Sequence, residues 1–304
     1  MRGRRMALGP LAAAVPAAGK RRTIFDAGNG TILPGERVRG EGDPPTDDPA
    51  VTEAYDGAGV TYDLFLEEFA RNSVDDRGMR LDATVHYGRD YDNAFWDGAQ
   101  MVYGDGDGEI FGRFTRCVDV IAHELAHGVT QFEARLAYSG QSGALNEHFS
   151  DVFGALAKQR SLGQTAGQAD WLIGQGLFMP AVNGLALRSM KAPGTAYDDP
   201  LLGKDPQPGH MDHYQDLDWD DGGVHVNSGI PNRAFYLASV GIGGLAWKTA
   251  GRIWYDALRD ELRPRATFRH AALATLNVAA KLFGEGSLEQ KAVRAAWEEV
   301  GVTA

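Results

Sequence analysis

The sequence predicts an α+β protein of two lobes, strand-rich at the N-terminal side and helical at the C-terminal side, joined by one helix that carries a metal-binding motif. Three observations lead there. Short apolar runs broken by glycine, asparagine and aspartate fill the first third. From Val118 onward apolar residues recur at helical spacing. At the join stands His123-Glu124-Leu125-Ala126-His127.

Composition narrows the function classes. A chain of 304 residues can bury the core of one large domain or two medium ones. With 43% hydrophobic and 23% charged residues it reads as an ordinary soluble enzyme. Its formal net charge of -11 argues against nucleic acid or an anionic membrane as partner. A monomer is expected. Cys117 is the single cysteine, so no intramolecular disulfide forms, and it reads as a small buried hydrophobe.

The elements follow in order. Residues 1–22 read as a leader or residual pro-segment. Its basic start and alanine-rich run resemble a signal peptide, but Pro10 and Pro16 interrupt the apolar stretch. Secretion is the expectation and a cytoplasmic location the alternative. Thr23 to Ala27 reads as a strand, with a turn at Gly28-Asn29-Gly30. Residues 31–52, rich in Gly, Pro and Asp, read as irregular chain. Residues 63–72 carry Leu64, Phe65, Phe69 and Ala70 at helical spacing. Residues 84–87 and 100–103 read as strands, and Gly104-Asp105-Gly106-Asp107-Gly108 as a turn. Helices are expected at 119–132, 146–160, 231–240, 246–262, 267–283 and 287–300. In the last, Ser287 and Gln290 suit a capping box. The strand-rich lobe then spans 23–132, including the motif helix, and the helical lobe 133–304.

Residues four apart on a helix share a face, so His123 and His127 can offer two ring nitrogens to one zinc ion at about 2.0–2.1 Å. Glu124 is turned about 100° away and suits a general base acting on a polarised water. The bland alternative is a helix with two solvated histidines. A catalytic zinc also needs a third protein ligand, and Glu147 on the next helix can supply it. Asp151, one turn on, can accept the second ring N–H of a ligand histidine. Without the two histidines this pair would be a plain acidic helix face. In Asp220-Asp221-Gly222-Gly223-Val224-His225, a histidine held by an upstream carboxylate can donate to a developing oxyanion. A lone loop histidine is otherwise more often structural. His86, His148, His210, His213 and His270 have no comparable constellation and are read as non-ligands.

With these residues assembled, the chain resembles the thermolysin-like neutral metalloendopeptidases over residues 22–304. The resemblance rests on six blocks in order: Asn93-Ala94-Phe95-Trp96, then residues 103–108, 123–130, 142–151, 187–190 and 220–229. It implies the thermolysin-like two-lobed fold and peptide hydrolysis by a zinc-bound water that Glu124 activates. His123, His127 and Glu147 would bind one zinc, with Asp151 and Asn146 behind the histidines. Tyr138 and His225 would stabilise the oxyanion, Asp220 orienting His225. Asn93, the Ala94 backbone and Arg188 would hold the substrate main chain. Phe111, Phe114, Val120, Ile173, Leu177 and Leu187 would line an apolar S1′ pocket, giving cleavage before a hydrophobic residue. Plain core packing is the competing reading of those six.

Two departures stand out. Larger relatives carry a double calcium site, but Lys158, Leu172 and Gln175 stand here where carboxylates are expected, beside Asp119 and Asp170. The site is expected to be absent, with Lys158 pairing Asp119 or Asp170. Leu185 likewise replaces a calcium-binding aspartate. This calcium-poor pattern and the start at residues 22–27 look like the protealysin-type branch, although the leader does not read as that branch's pro-segment. A catalytically silent zinc protein would be expected to have lost Glu124, Tyr138 or His225, and all are present. An aminopeptidase would need an acidic anchor for the substrate amine beside residues 93–96, and none is seen.

Overall fold

The computed structural model describes residues 19–303. The expected leader lies largely outside them, yet its last residues already belong to the fold: Lys20 pairs with Asp63, and the first strand starts at Arg22.

The N-terminal lobe is a five-stranded sheet with one long helix against it. In chain order it contains β1 (Arg22–Asp26), β2 (Glu36–Gly40), α1 (Pro49–Phe69), β3 (Leu81–Val85), β4 (Ala94–Trp96) and β5 (Met101–Tyr103), arranged β2-β1-β3-β5-β4. β1, β3 and β5 run parallel, while β2 and β4 close the two edges antiparallel. β4 is therefore an edge strand, with Ala94 opposite Tyr103. The expected irregular stretch 31–52 is corrected, since it holds β2 and the start of α1. That helix begins 14 residues before the expected 63. Asp48 caps it, its carboxylate accepting from the Ala50 and Val51 amides, and Pro49 fills the first turn. Within α1 a glycine serves packing. A Cβ on Gly57 would come within 2.4 Å of Ile121 Cδ1, so the glycine lets α1 lie close against the motif helix.

α2 (Val118–Phe132) follows, then α3 (Gly140–Leu162), which starts six residues before the expected 146. α3 is buried on nearly every side and forms the axis of the second lobe. Gly154 brings it close to α2: a Cβ there would meet the Asp119 carbonyl oxygen at 2.5 Å and His123 Cβ at 3.5 Å. The short pair β6 (Leu172–Ile173) and β7 (Arg188–Ser189) flanks α3. A second short antiparallel pair, β8 (Asp198–Asp199) and β9 (Gly203–Lys204), precedes the helices α4 (Asp220–Asn227, kinked at Asp221–Gly223), α5 (Gly229–Ile242), α6 (Ala250–Asp256), α7 (Phe268–Phe283) and α8 (Leu288–Glu299). The single helix expected over 246–262 instead starts at Ala250 and passes into a wider π-helical turn at Ala257–Glu261. The capping box expected at 287–290 forms only half. Ser287 accepts from the Gln290 amide, but the Gln290 side chain turns to the Gly286 amide. The core joins both lobes through Phe65, Phe69, Phe153 and Tyr255, whose rings pack on one another. No helix among the described residues is long and apolar enough to cross a membrane.

Candidate active site

α2 and α3 bring three of the expected side chains together. His123 and His127, one turn apart, point their Nε2 atoms at one spot, 3.2 Å from each other. Glu147 of α3 completes the group: its Oε2 lies 3.3 Å from His123 Nε2 and its Oε1 3.5 Å from His127 Nε2. Among the described residues, these three side chains offer ligand atoms all within 4.8 Å of one another. Four ligands at zinc distances of 2.0–2.1 Å would be spaced about 3.3–3.4 Å apart on a tetrahedron, which the three separations match.

The hydrogen bonds behind the histidines fix which ring atom faces inward. His123 Nδ1 donates to Asp151 Oδ1 (2.7 Å), and His127 Nδ1 donates to Asn146 Oδ1 (2.8 Å). Both Nε2 lone pairs therefore converge, and a positive charge must sit between them and Glu147. Glu147 Oε2 is buried and accepts no hydrogen bond. Without metal, a proton supplies that charge. Burial alone would lower the His123 pKa, but Asp151 and Glu147 outweigh it and push it up to about 10. The residues thus fit zinc by geometry and by charge.

Around this group the other candidates take distinct places. Glu124 faces the cleft and accepts no hydrogen bond among the described residues; burial pushes its carboxyl above the usual range. The Tyr138 hydroxyl donates to Glu147 Oε1 and lies 3.2 Å from His225 Nε2. His225 Nδ1 lies 2.5 Å from Asp220 Oδ1, while Asp220 Oδ2 accepts from the His225 and Val226 amides. A left-handed run makes that grip possible: φ is +54° at Asp220, +48° at Asp221, +85° at Gly222 and +78° at Gly223. Gly223 is required there, since a Cβ would approach Asn227 Nδ2 to 2.6 Å.

A cleft of about 860 Å³ runs between the lobes, bounded by Asn93 and Ala94 of the sheet edge and by His127, Tyr138 and His225. Trp96, Gln131, Phe132 and Arg135 also line it, and the sequence had singled out none of them as a site residue. Trp96 Nε1 donates to Gln131 Oε1 (3.0 Å), a contact spanning 35 residues that no local pattern announces. A smaller pocket of about 200 Å³ opens beside Glu124, walled by Phe111, Phe114, Val120, Leu187 and Arg188. Ile173 and Leu177 are corrected here, because both are fully buried and neither lines the pocket. They back the wall, the Ile173 carbonyl accepting from the Leu187 amide and the Leu177 carbonyl from Gly112. Arg188 makes a bidentate pair with Asp151, Nε to Oδ2 at 2.8 Å and Nη2 to Oδ1 at 2.7 Å.

At the outer end of α2 and α3, Lys158 Nζ lies 3.0 Å from Asp170, 3.5 Å from Asp119 and 3.2 Å from the Leu172 carbonyl oxygen. Leu185 is exposed. Cys117 is buried, and burial pushes its thiol up to about 12, so it is not a reactive thiolate. His86 sits between Asp105 and Asp48, 2.8 Å from each.

Comparison with known proteins agrees with this geometry. Residues 20–131 match the model for the thermolysin metallopeptidase catalytic domain, and residues 134–302 the model for its alpha-helical domain. An extracellular metalloprotease of Pectobacterium carotovorum is 56% identical over 289 residues, covering 95% of this chain and 83% of that protein. A thermolysin of Alicyclobacillus acidocaldarius is 40% identical over 291 residues, covering 91% of this chain and 50% of its own length. The solved precursor of protealysin from Serratia proteamaculans superposes with a TM-score of 0.93 at 56% identity, covering 96% of this chain and 91% of that one.

Proposed function

The chain belongs to the thermolysin family of metallopeptidases, zinc-dependent neutral endopeptidases, and from that premise we propose how its own residues divide the work. The observation that carries the proposal is the convergence of His123 Nε2, His127 Nε2 and the unpartnered Glu147 Oε2 on one point, with Glu124 beside it.

His123, His127 and Glu147 hold the zinc. When bound, zinc supplies a Lewis acid for the scissile carbonyl and for water. Glu124 takes a proton from the attacking water as its oxygen bonds to the carbonyl carbon. It passes that proton to the amide nitrogen as the C–N bond breaks. Its burial suits this cycle, because a carboxyl raised by desolvation both accepts and returns the proton readily. Tyr138 donates its hydroxyl proton to the developing oxyanion. His225, held by Asp220 through Nδ1, turns Nε2 toward the same oxyanion. Asn146 and Asp151 keep the ligand rings in register, and Arg188 steadies Asp151 while facing the pocket. Asn93 and the Ala94 backbone, at the open edge of β4, pair with the substrate main chain.

The apolar wall of Phe111, Phe114, Val120 and Leu187 supports cleavage before a hydrophobic residue such as Leu or Phe. The Lys158 ammonium between Asp119 and Asp170 supports the absence of the double calcium site. The Pectobacterium relative, named an extracellular protease, supports secretion.

One experiment tests the core of this. Digestion of a peptide library by the full chain should stop with a zinc chelator and should fall mainly before Leu and Phe. Glu124→Gln should keep its zinc while turnover falls by about 10²–10⁴-fold. Chelator-insensitive cleavage, or full turnover in E124Q, overturns the assignment.

A further inference from the structure

A line of hydrogen bonds runs through the helical core and ends on His123. Trp254 Nε1–H donates to His148 Nε2 (2.8 Å), and His148 Nδ1 donates to Asn232 Oδ1 (2.8 Å). Asn232 Nδ2 donates to Asp151 Oδ2 (2.8 Å), and Asp151 Oδ1 accepts from His123 Nδ1 (2.7 Å). Trp254, His148, Asn232 and Asp151 are all fully buried. The hydrolysis described above uses neither Trp254, His148 nor Asn232.

Chemistry fixes the direction of every bond in the line. An indole nitrogen only donates, so His148 Nε2 must present a lone pair and its proton must sit on Nδ1. That proton claims Asn232 Oδ1, which orients the amide and aims its Nδ2–H at Asp151. Four N–H groups then converge on the Asp151 carboxylate: Asn232 Nδ2, His123 Nδ1, and Arg188 Nε and Nη2. Four is its full complement of acceptor sites. The carboxylate cannot rotate without losing one of them.

We propose that His148 and Asn232 are positioning residues for the metal site, holding Asp151 so that His123 keeps its Nδ1 proton and presents Nε2 to zinc. This rests on His123 being a zinc ligand. The elements involved are far apart in sequence: His148 and Asp151 come from α3, Asn232 from α5, Trp254 from α6 and His123 from α2. Helix packing in the second lobe is thereby coupled to metal affinity. If the His148 N–H is removed, the Asn232 amide loses what orients it. A flipped amide would set Oδ1 against Asp151 Oδ2, acceptor against acceptor, and loosen the hold on His123.

The test is the zinc dissociation constant of the folded full chain, measured by competition with a chromogenic chelator. His148→Phe keeps an aromatic ring but no donor, and should weaken zinc about tenfold, the lower end for groups that orient a ligand. His148→Gln, whose amide can accept from Trp254 and donate to Asn232, should bind zinc as the parent does. With zinc saturating, H148F should recover a parental KM. Parental zinc affinity in H148F overturns the proposal, whatever happens to its thermal stability. If H148F does not fold, Asn232→Asp carries the same test: it keeps the volume, removes the donor to Asp151, and should weaken zinc at least as much. Unchanged affinity in N232D overturns the proposal too. His123→Ala, run alongside, separates the premise from the inference, since parental zinc binding in that variant would mean that His123 is not a ligand.

Discussion

Two clusters of charge lie between α2 and α3, and they answer the same electrostatic problem in opposite ways. At the inner one, His123, His127 and Glu147 face a single point, and the charge that reconciles them is exchangeable. At the outer one, Asp119 and Asp170 face Lys158, whose ammonium is tethered to α3. Asp119 and His123 are one helical turn apart, and Gly154 packs against both. An exchangeable cation suits a centre that must also polarise substrate, because metal brings coordination positions that the chain does not fill. A tethered ammonium has no such positions. It neutralises charge. The contrast sets an exchangeable charge apart from a fixed one within about three turns of the same helix pair.

Exchanging the consequences of the two clusters would break the contrast. The largest effect should come from Glu147→Gln, which removes the proposed third ligand without changing shape. Zinc content should fall sharply. Turnover should drop by at least the 10²–10⁴-fold that proton transfer alone contributes, since on the proposed assignment Glu124 then has no activated water to serve. If E147Q keeps stoichiometric zinc and turnover, the inner cluster is not the metal centre.

The outer cluster should behave in reverse. Lys158→Met leaves the buried Asp119 carboxylate without its cation and should cost about 3–5 kcal/mol in urea unfolding, as for a broken buried pair. The lower end is expected, because the Gly174 and Val120 amides still donate to Asp119. Turnover at 25 °C should stay near the parent's. Lys158→Glu sharpens the comparison further by restoring an acidic site. Calcium at about 100 times its dissociation constant should then add about 2.7 kcal/mol of stability to the variant and nothing to the parent. A calcium response in the parent would contradict the tethered-cation reading.

How much of this was legible in the sequence follows from the range of each signal. The metal group was readable because its parts repeat at a helix's own period: His123 with His127, and Glu147 with Asp151. The start of α1 was not. Asp48, Pro49, Gly57 and Gly59 are the residues of a turn, and only contact with Ile121 shows that Gly57 serves packing. Apolarity alone could not divide Phe111 and Leu187, which wall a pocket, from Ile173 and Leu177, which lie behind it. The grip of Asp220 on His225 depends on four consecutive left-handed residues, of which the sequence marked only the glycine pair. His148 looked unremarkable because its partners lie 84 and 106 residues away.

The smallest effect expected lies between the two extremes of exchangeable and tethered charge. His86, in a left-handed conformation at φ +54°, sets Nδ1 against Asp105 and Nε2 against Asp48, the residue that caps α1. Two acceptor-only carboxylates, one on each nitrogen, require both ring protons, so this cation is neither metal nor permanent but a bound proton. The hydrogen bond to Asp105 leads, burial opposes it, and the Asp48 contact adds to it, raising the pKa to about 9. A raised pKa stabilises the folded state below the unfolded value of about 6.5, and that contribution disappears as pH climbs through about 9. Because the pair is partly open to solvent, the loss should be only about 1 kcal/mol. Urea midpoints of the parent should therefore fall between pH 6.5 and 9.5, and those of His86→Asn should fall less. Parallel curves for the two proteins would mean that His86 is neutral in the fold and that the lobe holds no charge of this intermediate kind.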